Sequence, residues 1–263
     1  MVANAYKQLA CAPCAEGIFL AMVVQDDARE RQLIELFKLE RIEGAGRADT
    51  DAELEVGGVN IPFELKSSTD DSVTTVRDFG PDHVAKWKLK HWLIGFYDKD
   101  GKTLKYSIYG SPKMMAPWVK EKEEYIRVDF ELAKTVPPLI HLELLYYLLG
   151  KKDVYSVEDA KLLHKRQYSK AQYLEQCDVK NGYSPERMLA ILKERCRYVI
   201  ERGSTLNNPH IPGSYFKGWE HITERHAERL RELVAEALTE EAKELGKTAQ
   251  AAKESARKID KAT

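Results

Sequence analysis

The chain has 263 residues, 43% apolar and 32% charged, with a net charge of −1, which is enough length to bury one large core or a core with a second lobe. A pI near 6.7 excludes a uniformly basic nucleic-acid coat and leaves room only for a local basic patch. Four cysteines are too few for a disulfide scaffold of this size, no run of about eighteen apolar residues offers a membrane span, and Ile18–Val24 lacks a basic leader, so a reducing cytoplasm and no membrane are expected. Cys11-Ala12-Pro13-Cys14 has the spacing of half a zinc site, but Cys177 and Cys196 form no second pair, and the four read as buried or idle thiols.

From Gln25 to Arg41, Leu33, Ile34, Leu36 and Phe37 recur at helical spacing among charges, which predicts an amphipathic helix with Asp26 and Asp27 at its start. Gly44-Ala45-Gly46 ends it. Two alternating runs then flank Gly57-Gly58, the signature of a tight hairpin in which Val56 faces Val59 and Asp51 faces Glu64. Strand side chains alternate, so Ala52, Leu54, Val56, Phe63 and Leu65 make a core face. The opposite face carries Asp51, Glu53, Glu55, Glu64 and Lys66. Like charges facing each other across a strand pair destabilise it unless neutralised, and two carboxylates completed by water are what Mg2+ prefers.

Beyond a polar loop at Ser67–Asp71, Val73–Val76 reads as a short strand, and Pro81-Asp82 as the start of a helix with His83, Lys86 and Lys90 on roughly one face. Trp92–Tyr97 reads as a buried central strand, Asp98–Gly101 as its turn and Leu104–Tyr109 as its partner. Helices then dominate: Ser111-Pro112 opens one toward Lys122, Pro137-Pro138 breaks the chain before Leu139–Leu149, and Val157–Arg166, Ser169–Gln176 and Pro185–Arg202 follow. The pair before Gln176 reads either as two packed helices or as a helix-turn-helix presenting Lys170, Gln172 and Tyr173. Arg202–Phe216 reads as a loop, and His221–Lys261 as one or two charged helices that dock or pair with another subunit.

Asp51 with Glu64-Leu65-Lys66 thirteen residues on resembles the PD-(D/E)xK nuclease superfamily, and the run Ser72–His83 followed by Lys86-Trp87 is similar to type II restriction endonucleases within it. The likeness covers about residues 30 to 110. It implies an α/β fold with a restriction-endonuclease-like mixed sheet flanked by helices and a mostly helical C-terminal half. With the change of character along the chain, it gives a catalytic core over 1–135 and a helical region over 136–263 for DNA recognition or dimerisation, either separate from the core or packed with it as one domain. Asp51 and Glu64 would hold Mg2+, Lys66 would position or deprotonate the attacking water, and a glutamate of the preceding helix, Glu35 or Glu30, would join the metal. The expected activity is sequence-specific hydrolysis of double-stranded DNA by a homodimer. One departure is visible: Thr50 stands where a proline usually precedes the first acid, and Asp49 competes with Asp51.

On that reading Arg77, His83 and Lys86 are candidate DNA contacts, and Arg202, Ser204, Thr205, Asn207, Asn208 and His210 form a candidate base-reading loop, since Asn and Arg hydrogen-bond base edges well. The same residues read otherwise as a solvated helix face and a plain connecting loop. A structure-specific repair or recombination nuclease and a non-catalytic DNA-binding protein are the competing functions.

Overall fold

In the computed structural model, residues 28–42, 50–76, 79–204 and 208–260 are described. Cys11, Cys14, Asp49, Arg77, Thr205 and Asn207 therefore lie outside the described residues. Gly57 and Gly58 adopt φ of 61° and 80°, the left-handed conformation that a two-residue hairpin turn requires and that a Cβ resists. They join β2 (Ala52–Val56) to β3 (Val59–Ser68), which pair in the expected register from Val56–Val59 to Ala52–Phe63.

The hairpin sits in a five-stranded mixed sheet ordered β1-β2-β3-β5-β6. β5 (His91–Tyr97) runs parallel to β3, and β6 (Leu104–Gly110) antiparallel to β5. Every residue of β5 is buried, as expected of an interior strand covered on both faces. β1 (Glu40–Arg41) was not expected. The first helix, α1 (28–37), was predicted to run through Arg41, but Lys38 turns left-handed at φ 52° and Leu39 N–H donates back to Ile34 O at 2.9 Å. That is how a helix ends when its last carbonyls are closed by a left-handed residue. Glu40 and Arg41 are thereby released to pair with Glu53 and Ala52.

The alternation of β2 and β3 places Ala52, Leu54, Ile61, Phe63 and Leu65 on one face, in a core shared with Leu93, Tyr109, Leu33 and Phe37 of α1, and Leu230 and Val234 of α8 (His226–Asp260). Arg231 of α8 also donates to the carbonyl oxygens of Phe37 at 3.3 Å and Lys38 at 3.2 Å, satisfying acceptors that the end of α1 leaves open. The C-terminal helix thus returns to the sheet instead of joining the preceding helices.

For this reason the chain does not divide near residue 135. One compact unit comprises the chain up to Thr75, Lys86–Ala116 and everything from His210, and the other comprises Val76–Ala85 and Pro117–Pro209. Within the first unit, β4 (Val73–Thr74) pairs with β7 (His210–Ile211). The chain also forms α2 (Pro81–Trp87), α3 (Pro112–Thr135), α4 (Leu142–Leu149), α5 (Val157–His164), α6 (Lys170–Glu175) and α7 (Pro185–Ser204). In the second unit Leu145, Tyr155, Tyr173, Tyr183, Met188 and Ile191 form the core. Ser156 and Ser169 start α5 and α6 with capping boxes, closing the orphan donors of each first turn. Tyr173 is 1% exposed and belongs to that core, so the alternative of a groove-reading α6 gives way to packed helices. Among the described residues no helix is long and apolar enough to cross a membrane.

A titratable pair lies in the core of the first unit. His91 Nδ1 and the Tyr109 hydroxyl lie 2.6 Å apart beside Phe63, and burial pushes the imidazole pKa down to about 4. The unfolded chain takes up this proton near pH 6.5 and the folded chain only near pH 4, so the stability His91 contributes is present above 6.5 and is lost as the pH falls between those values. Between pH 7 and pH 5 the wild type should lose about 2 kcal/mol more stability than His91→Phe. Urea unfolding at the two pH values measures this, and parallel losses in both proteins would place the charge change elsewhere.

Candidate active site

Glu64 and Lys66 are two residues apart on β3 and project from the same face, and the antiparallel register brings Asp51 in beside Glu64. Asp51 N–H donates to Phe63 O at 3.2 Å, and Leu65 N–H donates to Asp51 Oδ2 at 2.8 Å, so backbone on both sides fixes this carboxylate. Lys66 Nζ lies 2.7 Å from Glu64 Oε1, 3.0 Å from Leu65 O and 3.8 Å from Asp51 Oδ2. Three oxygens thus surround one ammonium, and the predicted trio is brought together.

A second ammonium reaches the same carboxylate from the neighbouring strand. Lys90 directly precedes β5, whose parallel register sets Trp92 beside Glu64, and Lys90 Nζ donates to Glu64 Oε2 at 2.6 Å. Lys90 had been expected on a helix face with His83 and Lys86. Instead α2 stops at Trp87, and Lys90 is only 5% exposed, as deeply buried as Glu64 at 6%. A lysine immediately before a strand with no exposed residue is a signal that its charge must be matched, since buried ammonium ions are almost always paired.

The charges act on each other in both directions. Burial alone would raise the Glu64 pKa, but the Lys66 and Lys90 ammonium ions outweigh it and hold this carboxyl below its ordinary value. For Asp51 burial prevails, with the Glu64 charge adding to it against Lys66, and its pKa is raised. Burial works against the Lys66 ammonium as well, yet Glu64 and Asp51 hold its pKa above the ordinary value, and Glu30 acts in the same direction.

That effect of Glu30 corrects the choice of Glu35. Glu30 is three and seven residues before the buried Leu33 and Phe37, on the stripe of α1 that faces the sheet, while Glu35 is exposed on another side. Glu35 therefore does not join the site, and Glu30 stands nearer to it. Among the described residues no three His, Cys, Asp or Glu side chains form a metal-binding cluster. What does converge is Asp51, Glu64 and the Leu65 carbonyl, hard oxygen donors gathered about a cation, which is the chemistry Mg2+ accepts with water completing its shell. The residues present fit the ion.

The expected DNA contacts that fall among the described residues lie on separate elements. His83 Nδ1 accepts the Gly80 N–H at 3.3 Å within the start of α2, and Lys86 is half-buried near its end. Arg202 and Ser204 belong to the last turn of α7, with Ser204 buried; Asn208 is exposed; and His210 is an exposed strand residue opposite Thr74. The described residues of 202–216 thus include a helix end, a strand and a 3-10 turn at Gly213–Phe216, and do not form one loop.

Glu64→Gln leaves Lys66 and Lys90 without their shared carboxylate, and breaking a buried ion pair from one side costs about 3–5 kcal/mol. Denaturant unfolding should show a loss of that order; a loss within the roughly 0–1 kcal/mol typical of surface pairs would mean that the carboxylate is solvated. Compared with known proteins, the chain matches no family model and no curated protein.

Proposed function

We propose that this protein is a Mg2+-dependent DNA endonuclease of the restriction type, cutting double-stranded DNA at specific sequences as a cytoplasmic homodimer. The observation that carries the reading is the convergence of Asp51 Oδ2, Glu64 Oε1 and Leu65 O on Lys66 Nζ. It joins a carboxylate pair able to hold a divalent cation to an amine able to serve the nucleophile, on the rigid strand β3 and its hairpin partner.

When bound, Mg2+ supplies neutralisation of the charge that builds on the phosphate and a water of lowered pKa. Asp51, Glu64 and the Leu65 carbonyl would hold it. Lys66, relieved of its carboxylate partners, would position the attacking water and take or hold its proton at Nζ. The Leu65 N–H to Asp51 Oδ2 bond keeps that carboxylate oriented for the task. A dimer would bring two such sites to the two strands, as a symmetric pair does on a palindrome.

Incubation with plasmid DNA should give discrete fragments in the presence of Mg2+ and none with EDTA. Asp51→Asn and Lys66→Gln should each lower cleavage at least about a hundredfold while still shifting DNA in a gel, since they remove transition-state stabilisation and not phosphate contacts. A ladder or smear would favour a structure-specific nuclease. Metal-independent shifting without any nick would favour a DNA-binding protein, and full cleavage by either variant would sink the assignment.

A further inference from the structure

Both oxygens of Glu64 are engaged by lysines, Oε1 by Lys66 at 2.7 Å and Oε2 by Lys90 at 2.6 Å. Asp51 and Glu64 therefore face two ammonium ions that match their charges, with Glu30 acting on Lys66 from α1. A divalent cation added among them would leave a surplus of positive charge in a mostly buried place, which a low local dielectric makes costly. The lysines differ in their freedom to leave. The Lys66 side chain keeps 18% of its surface exposed, whereas Lys90 keeps 6% and is fixed where the chain enters β5.

We propose that Lys66 and Lys90 are resident counter-cations of the site: metal enters by displacing the Lys66 ammonium while Lys90 stays on Glu64, and the charge of Lys90 sets how much metal is needed to load it. This rests on the Mg2+ reading given above. Lys90 acts through Glu64 and is a positioning residue. It keeps Glu64 Oε2 engaged, leaving Oε1 to turn toward the cation, and its own charge opposes that cation from across the carboxylate.

A lysine that served only to pair a buried carboxylate would lower stability when removed and do nothing else. A counter-cation does a second thing, because its removal leaves the site with an unmatched negative charge that a metal ion can satisfy. The test is calorimetric titration of Mn2+ and Mg2+ into the full chain without DNA, using the wild type, Lys90→Gln, Lys90→Met and Lys90→Arg. The Gln and Met variants should bind roughly tenfold more tightly than the wild type and the Arg variant within about twofold of it, as loss or retention of one nearby charge requires. In a thermal melt Lys90→Met should unfold below the wild type in EDTA and recover on addition of Mg2+, and Lys90→Gln, which keeps a donor for Oε2, carries the test if the Met variant does not fold. Wild-type binding with unchanged affinity in the Gln and Met variants overturns the inference and leaves the nuclease reading standing. Absence of divalent binding in the wild type and every variant overturns both.

Discussion

A buried carboxylate held between two ammonium ions is the interaction on which this structure turns. Glu64 lies in the middle of the hairpin's long strand, where an unmatched charge would be intolerable, and its partners come from its own strand and from the start of the next one in the sheet. The parallel pairing of β3 with β5 is what makes the second partner possible. Were β5 shifted by one residue, every side chain on it would change faces and Lys90 would no longer be set to meet Glu64.

The two faces of the hairpin differ in kind, one apolar to the edge of the site and the other charged. Leu65 lies in the core between Glu64 and Lys66 in sequence, and its backbone serves the other side: its N–H orients Asp51 and its carbonyl meets Lys66. Backbone polar groups are held far more rigidly than side chains, so a site assembled partly from them is already in place before anything binds. The activity proposed above would draw on such preorganisation to align water, metal and phosphate.

Much of this was legible in the amino-acid order because local rules governed it. Gly57-Gly58 could only be a tight turn, the alternation on either side gave the register, and the unbroken apolar run at Trp92–Tyr97 gave an interior strand. What escaped depended on contacts distant in sequence. Lys90 looked like the next step on a helical face, and only the pairing of β3 with β5 reveals its partner, twenty-six residues away. Glu35 and Glu30 have equal claims by composition, and only the stripe of α1 that meets the sheet separates them. The end of α1 at Lys38 and the return of α8 are likewise tertiary choices, for which a charged, alanine-rich stretch offers no local signal.

The first unit is discontinuous, and its core draws on Leu230 and Val234 near one end of the chain as well as Leu33 and Phe37 near the other. On the ribosome the hairpin emerges early, but the apolar face beneath it is only partly covered until Leu230 and Val234 follow. Meanwhile Pro117–Pro209 is already complete and free to fold in sequence. The charged face of the hairpin is thereby completed only when residues far along the chain come back to cover its apolar face.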